Sequence, residues 1–215
     1  RDLADLASAG RLDRVHGGAL MPKGARNIGY ETRRGINQAA KDAIGAACAA
    51  HIPDNSSVLL NIGTTTDAVA TALLDRQNLT VVTNNLNVAN ILSLNETCQI
   101  VVTGGRLRSQ DNGLIGDLAA DAIEGFKVDH AVIGTSGLDT DGDLLDFDPE
   151  EVRVSRAMIQ QSRRTFVVMD ASKLGRSAPI RIGSLADVDA IFTDAELPAT
   201  LAENCRGWGT GIHTV

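Results

Sequence analysis

A chain of 215 residues with 43% hydrophobic content can bury a sizeable core, and its length fits one α/β domain with or without a fragment of a second. A formal net charge of −7 and a sequence pI near 5.0 argue against a broad nucleic-acid footprint on this chain. No apolar run approaches the length of a membrane span, no secretory leader is visible, and the three scattered cysteines lack metal-ligand spacing. The expectation is a cytoplasmic chain with reduced, buried thiols, no membrane partner, no metal and no cofactor.

Residues 1–20 differ in character from the rest of the chain. Residues 1–10 carry a short amphipathic helix pattern that stops at Gly10, and residues 11–20 form a basic, glycine-turned segment. The pattern at Arg1 has no cap ahead of it, which predicts a chain cut short at that end. Twenty residues of this kind cannot bury a core alone. Residues 21–35, with Pro22, Gly24, Gly29 and several arginines, read as a linker. Residues 36–51 then place Ile36, Ala40, Ile44, Ala47 and Cys48 near helical spacing, with Lys41 expected in solvent.

The stretch from Ser57 to Asp67 holds the strongest local signal. Val58 to Ile62 read as a buried strand, Gly63 as a tight turn, and Thr64, Thr65 and Thr66 lead into a helix. A strand, a Gly-Thr turn and a helix make an anion cradle: the first helical N–H groups lack partners and the helix dipole favours negative charge there. Ordinary capping by Thr or Asp is the competing reading. One cap needs one hydroxyl, and three in succession exceed that need.

Downstream, short β-branched strands alternate with helices, which argues for a mostly parallel sheet covered on both faces. Strands are expected at 79–83, 98–103, 129–133, 165–169 and 190–192, and helices at 86–94, 118–126 and 150–163. Ligands bind beyond the carboxyl ends of strands in such sheets. Those ends gather Gly63, Thr64 and Thr65, then Asn84 and Asn85, Gly104 and Gly105, Gly134 and Thr135, and Asp170 to Lys173. Lys173 can meet a phosphate as a point charge. Asp146, Asp148, Glu150 and Glu151 precede a helix, where they either complement its dipole or accept hydrogen bonds from ligand hydroxyls.

Several of these motifs together resemble the DeoR family of bacterial transcriptional repressors. They are Gly63-Thr64-Thr65-Thr66, Thr83-Asn84-Asn85, Gly104-Gly105, Gly116, Gly134-Thr135-Ser136-Gly137, Glu151 and Asp170-Ala171-Ser172-Lys173, preceded by Arg1-Asp2-Leu3 and Arg14-Val15-His16-Gly17-Gly18-Ala19. The resemblance implies that residues 1–20 are the end of a winged helix-turn-helix, with Arg1 in the recognition helix and Arg14 and His16 in the wing. It implies that residues 36–215 form an effector-binding sensor domain with a fold like ribose-5-phosphate isomerase. The effector it implies is a small phosphate ester, glycerol 3-phosphate or a sugar phosphate, bound by a homo-oligomer. Operator DNA is then a partner of the full protein, with weak or no binding by this chain, because most of the helix-turn-helix is missing. The alternative is a sugar-phosphate isomerase with Glu151 or Asp146 as general base, since fold does not fix function.

Overall fold

A computed structural model describes residues 13–15, 18–20 and 30–215, the first two stretches as backbone only. Strands β1 (Asp13–Val15) and β2 (Gly18–Leu20) pair antiparallel, with Arg14 opposite Ala19. Helix α1 (Tyr30–Gly35) lies inside the stretch read as linker, and α2 (Gln38–Ala49) follows. Alternation then begins with β3 (Ser57–Leu60), α3 (Thr64–Ala72), β4 (Thr80–Thr83), α4 (Leu86–Leu92) and β5 (Gln99–Val102). A hairpin of β6 (Arg106–Arg108) and β7 (Gly113–Ile115) interrupts it before α5 (Asp117–Glu124) and β8 (Val128–Ile133). Next come β9 (Gly137–Leu138), β10 (Asp143–Asp146), α6 (Pro149–Gln160), β11 (Ser162–Val168) and β12 (Ile180–Ser184). The chain closes with β13 (Ala190–Thr193), α7 (Ala199–Trp208) and β14 (Gly211–Thr214).

Seven strands form one parallel sheet in the order β14-β13-β11-β8-β3-β4-β5. Burial on both faces follows from the apolar runs. Val58 and Leu60 pack into one core cluster with α2, α3 and α4, and Leu59 between them packs into the other with α5, α6 and α7. All three are fully buried. The α2–α3 contact is close enough to need glycine: a Cβ on Gly45 would lie 2.7 Å from the Ala68 carbonyl carbon. A separate antiparallel sheet, β12-β10-β9, leans on the α6 side and contributes Leu138, Leu144 and Ile182 to that core.

This topology fixes where a ligand can sit. From β3 the chain steps outward through β4 to β5, then returns to β8 on the other side of β3 and continues to β14. The strand order therefore reverses between β3 and β8, and the crevice of such a sheet opens beyond the carboxyl ends at that reversal.

Candidate functional site

The turn after β3 lies at that reversal. The Asn61 N–H donates to the Val132 carbonyl of β8 at 3.1 Å, and its side-chain amide donates to the Ser155 hydroxyl of α6 at 2.8 Å. Gly63 adopts φ 149°, a conformation L side chains rarely take, and its carbonyl accepts the first intrahelical bond of α3, from Asp67. The N–H groups of Thr64, Thr65 and Thr66 are thus the orphan donors of the helix start, and no side chain caps them. Thr66 spends its hydroxyl on the Gly63 carbonyl at 2.6 Å. Thr64 and Thr65 are buried as residues, yet neither hydroxyl is among the buried side-chain atoms left without a partner. Capping is the simpler reading of three threonines in sequence, and no threonine here acts as a cap.

A layer of amides walls the cradle. Asn85 caps α4 by accepting from the Asn87 N–H, and its amide donates to Asp67 Oδ1 at 2.8 Å. Asn84 is fully buried and donates to the Leu114 carbonyl of the hairpin, while its Oδ1 has no partner among the described residues. Asp67 also accepts from the Tyr30 hydroxyl at 2.6 Å. Burial pushes the Asp67 carboxyl up, and these two donors pull against it.

Next to the amides, Asp148 and Glu151 of the acidic run meet one arginine of the hairpin. Arg108 donates to Asp111 Oδ2 and to Asp148 Oδ2, each at 2.6 Å, and also to Glu151. Its side chain is only 15% exposed, so the charges meet largely out of water. Asp148 has two jobs: Oδ2 holds Arg108, and Oδ1 caps α6 by accepting from the Glu150 N–H at 2.9 Å. Asp146 is buried and accepts from the Phe147 and Asp148 N–H groups. Burial first, then the neighbouring Asp146, raises Glu151 to about 7, with Arg108 pulling the other way. A titration near neutrality would suit a general base, but the Glu151 carboxylate is already engaged by a guanidinium.

Cations collect on the side of β11. Asp170 caps the short turn Ala171–Lys173 and accepts from the Asn37 amide at 3.2 Å. Burial, aided by the charges of Arg176, Arg33 and Lys41, brings Lys173 down to about 8, while Asp170 opposes the shift. Lys41, expected in solvent, is buried: its ammonium donates to the Ile36 carbonyl at 2.6 Å and to the Arg33 carbonyl. The reason is that α1 ends against α2 and needs donors for its last carbonyls. Arg176 stacks over the Phe147 ring, 5.1 Å from its centroid.

The expected residues fall into three groups at the strand ends. Gly63 to Thr66 follow β3, and Asn84, Asn85, Gly104 and Gly105 follow β4 and β5. Gly134 and Lys173 follow β8 and β11, Asp146 ends β10, and Asp148 and Glu151 come after it. Arg1 and His16 lie outside the described residues, and Arg14 is described only as backbone in β1. Sequence reading missed Arg108, Asp111, Asp67 and Tyr30 as members. Asp67 carried a local signal, its place in the first turn of α3, and Arg108 and Asp111 meet three residues apart; Tyr30 finds Asp67 37 positions along the chain. Among the described residues no group of His, Cys, Asp and Glu side chains could hold a metal ion, and no helix is long and apolar enough to cross a membrane.

A seven-stranded parallel sheet with helices on both faces, its strand order reversing between β3 and β8, defines the class, an open α/β domain. Residues 36–195 match the family described as the DeoR C terminal sensor domain. The chain belongs to the DeoR family of transcriptional regulators, as a sensor rather than an enzyme. It is 44% identical over 203 residues to the glycerol-3-phosphate regulon repressor of Escherichia coli, covering 94% of this chain and 81% of that protein. The repressor of the same name from Haemophilus influenzae is 45% identical over 193 residues, with 90% and 75% covered. The HTH-type transcriptional repressor CsqR of Escherichia coli is 39% identical over 201 residues, with 94% and 77% covered. Among solved structures, eIF2B delta from Chaetomium thermophilum shares the fold with a TM-score of 0.55 at 11% identity, over 75% of this chain and 57% of that one. Ribose 5-phosphate isomerase A from Methanocaldococcus jannaschii gives 0.48 at 14% identity, over 64% and 55%.

Proposed function

We propose that this chain is the effector-sensing part of a repressor, and that its effector is a small phosphate ester, glycerol 3-phosphate or a sugar phosphate. The observation that carries the reading is the uncapped start of α3, three orphan N–H groups behind Gly63 beside the buried residues Thr64 and Thr65. Such a terminus favours an anion. Lys173 supplies the charge, and Asp146, Asp148, Glu151, Asn84 and Asn85 are the groups for ligand hydroxyls. The names of two repressors at 44% and 45% identity support glycerol 3-phosphate as the first effector to test.

The same reading divides labour along the chain. Duplex affinity comes from neutralising phosphates with Lys and Arg, and specificity from an element in the groove. The chain carries a net charge of −7, with only Arg1, Arg11, Arg14 and His16 available in its first twenty residues. It binds operator DNA weakly or not at all, while the full homo-oligomeric protein binds it and responds to the effector. The effector must prefer one arrangement of the DNA-binding domains, because equal affinity for both shifts nothing. Calorimetry with glycerol 3-phosphate and anisotropy with an operator-bearing duplex, at one salt concentration, test both halves. Saturable phosphate-ester binding with weak duplex binding is expected. Tight, sequence-specific duplex binding by this chain overturns the division.

A further inference from the structure

Helix α1 and Asn37 after it reach three elements near the strand ends. Tyr30 donates to Asp67 in the first turn of α3. Arg33 faces Asp111 of the hairpin at 3.9 Å, and Asn37, just past the helix, donates to Asp170 at the end of β11. Tyr30 and Arg33 are three residues apart and so share one helix face, which places Arg33 on the side that meets the cradle.

Arg33 is poorly satisfied there. Its side chain is 17% exposed, its Nε is buried without a partner among the described residues, and 3.9 Å to Asp111 is too long for a hydrogen bond. Asp111 is already committed to Arg108, which it meets through both oxygens. The Arg33 charge also bears on Lys173 and Arg176, so cations crowd the same space. A buried guanidinium with an open donor among other cations is a costly arrangement until an anion completes it.

We infer that Arg33 is a ligand of the effector's phosphate group, carried into the site by the helix that follows the linker, so that effector binding and the position of that helix are one event. This rests on the phosphate-ester reading. It goes beyond that reading by giving the linker end a direct contact with the ligand. A phosphate accepts from Arg33 on one side and from the α3 N–H groups and Lys173 on the other. Lys41 holds the Arg33 and Ile36 carbonyls from below and keeps the end of α1 in register with the site.

The test titrates glycerol 3-phosphate by calorimetry into the wild-type chain, R33K and R33Q, and follows amide exchange over residues 30–36 with and without ligand. Affinity should fall about tenfold or more in R33Q, the loss of one charge-assisted hydrogen bond, and by less in R33K. Ligand should slow exchange over residues 30–36 in the wild type and not in R33Q. Equal losses in R33K and R33Q would mark a packing role and overturn the inference. So would an R33Q affinity within about twofold of wild type, or exchange that the ligand leaves unchanged. Those results leave the phosphate-ester reading intact. Absence of binding by the folded wild-type chain overturns both.

Discussion

Two side chains at the crevice titrate away from their ordinary ranges in ways a pH series can read. Lys173 is drawn down to about 8 by burial and by the cations around it. A bound phosphate restores the charged ammonium, so binding above about pH 8 takes up a proton and affinity falls as pH rises further. Calorimetry in two buffers of different ionisation heat should detect that uptake in the wild type and lose it in K173M. Glu151 shows the opposite behaviour, its acid form favoured up to about 7 against an ordinary 4.5. The native state then holds a proton that the unfolded chain releases, and stability falls as pH rises from about 4.5 to 7. E151Q removes that component. Denaturant midpoints should show E151Q gaining on wild type across this window by on the order of 1–3 kcal/mol. A constant difference between the two proteins would mean that Glu151 titrates normally.

Elements set what these residues can do. Gly63 links β3 to α3 at φ 149°, and a Cβ there would lie 3.3 Å from the Thr66 hydroxyl that donates to its own carbonyl. Gly63→Ala should cost about 1–3 kcal/mol in chemical denaturation. It should also weaken phosphate-ester binding, because the N–H groups of α3 are aimed by that turn. Full affinity in the alanine variant would count against the cradle. The β6–β7 hairpin is tied to α6 by Arg108, whose three carboxylates would face one another without it. Arg108→Met should therefore destabilise by about 2–4 kcal/mol, since breaking a buried ion pair leaves uncompensated charge. An unchanged midpoint would show that solvent already screens the three acids.

The same elements show what could be read from the chain. Val58-Leu59-Leu60 and Ala131-Val132-Ile133 advertise buried parallel strands because both their faces are covered. Strand β9 is two residues, and β10 reads Asp-Leu-Leu-Asp, too short and too mixed for periodicity to detect. Helix α7 hides behind Asn204, Gly207 and a proline at its start. The strand, turn and helix start at Gly63 to Thr66 were legible because they are consecutive residues. The site was opaque where partners are distant: Arg108 lies 40 and 43 positions from Asp148 and Glu151. The nearby Asp111, three residues on, is the one local feature that sets that arginine apart from Arg106, which meets Glu150 at the surface.

At the scale of the whole molecule, a chain of the DeoR family places an uncapped helix start, buried amides, an acid–arginine network and the basic Lys173 at the strand ends around one sheet reversal. The central claim is that this crevice takes a small phosphate ester. A calorimetric titration of the folded chain with glycerol 3-phosphate, run beside glycerol and beside K173A, tests it most directly. The account predicts saturable binding of the phosphate ester, no measurable binding of glycerol, and an affinity about tenfold to a hundredfold weaker in K173A. Equal binding of glycerol and its phosphate, or no heat with any of several three- to six-carbon phosphate esters, would contradict it.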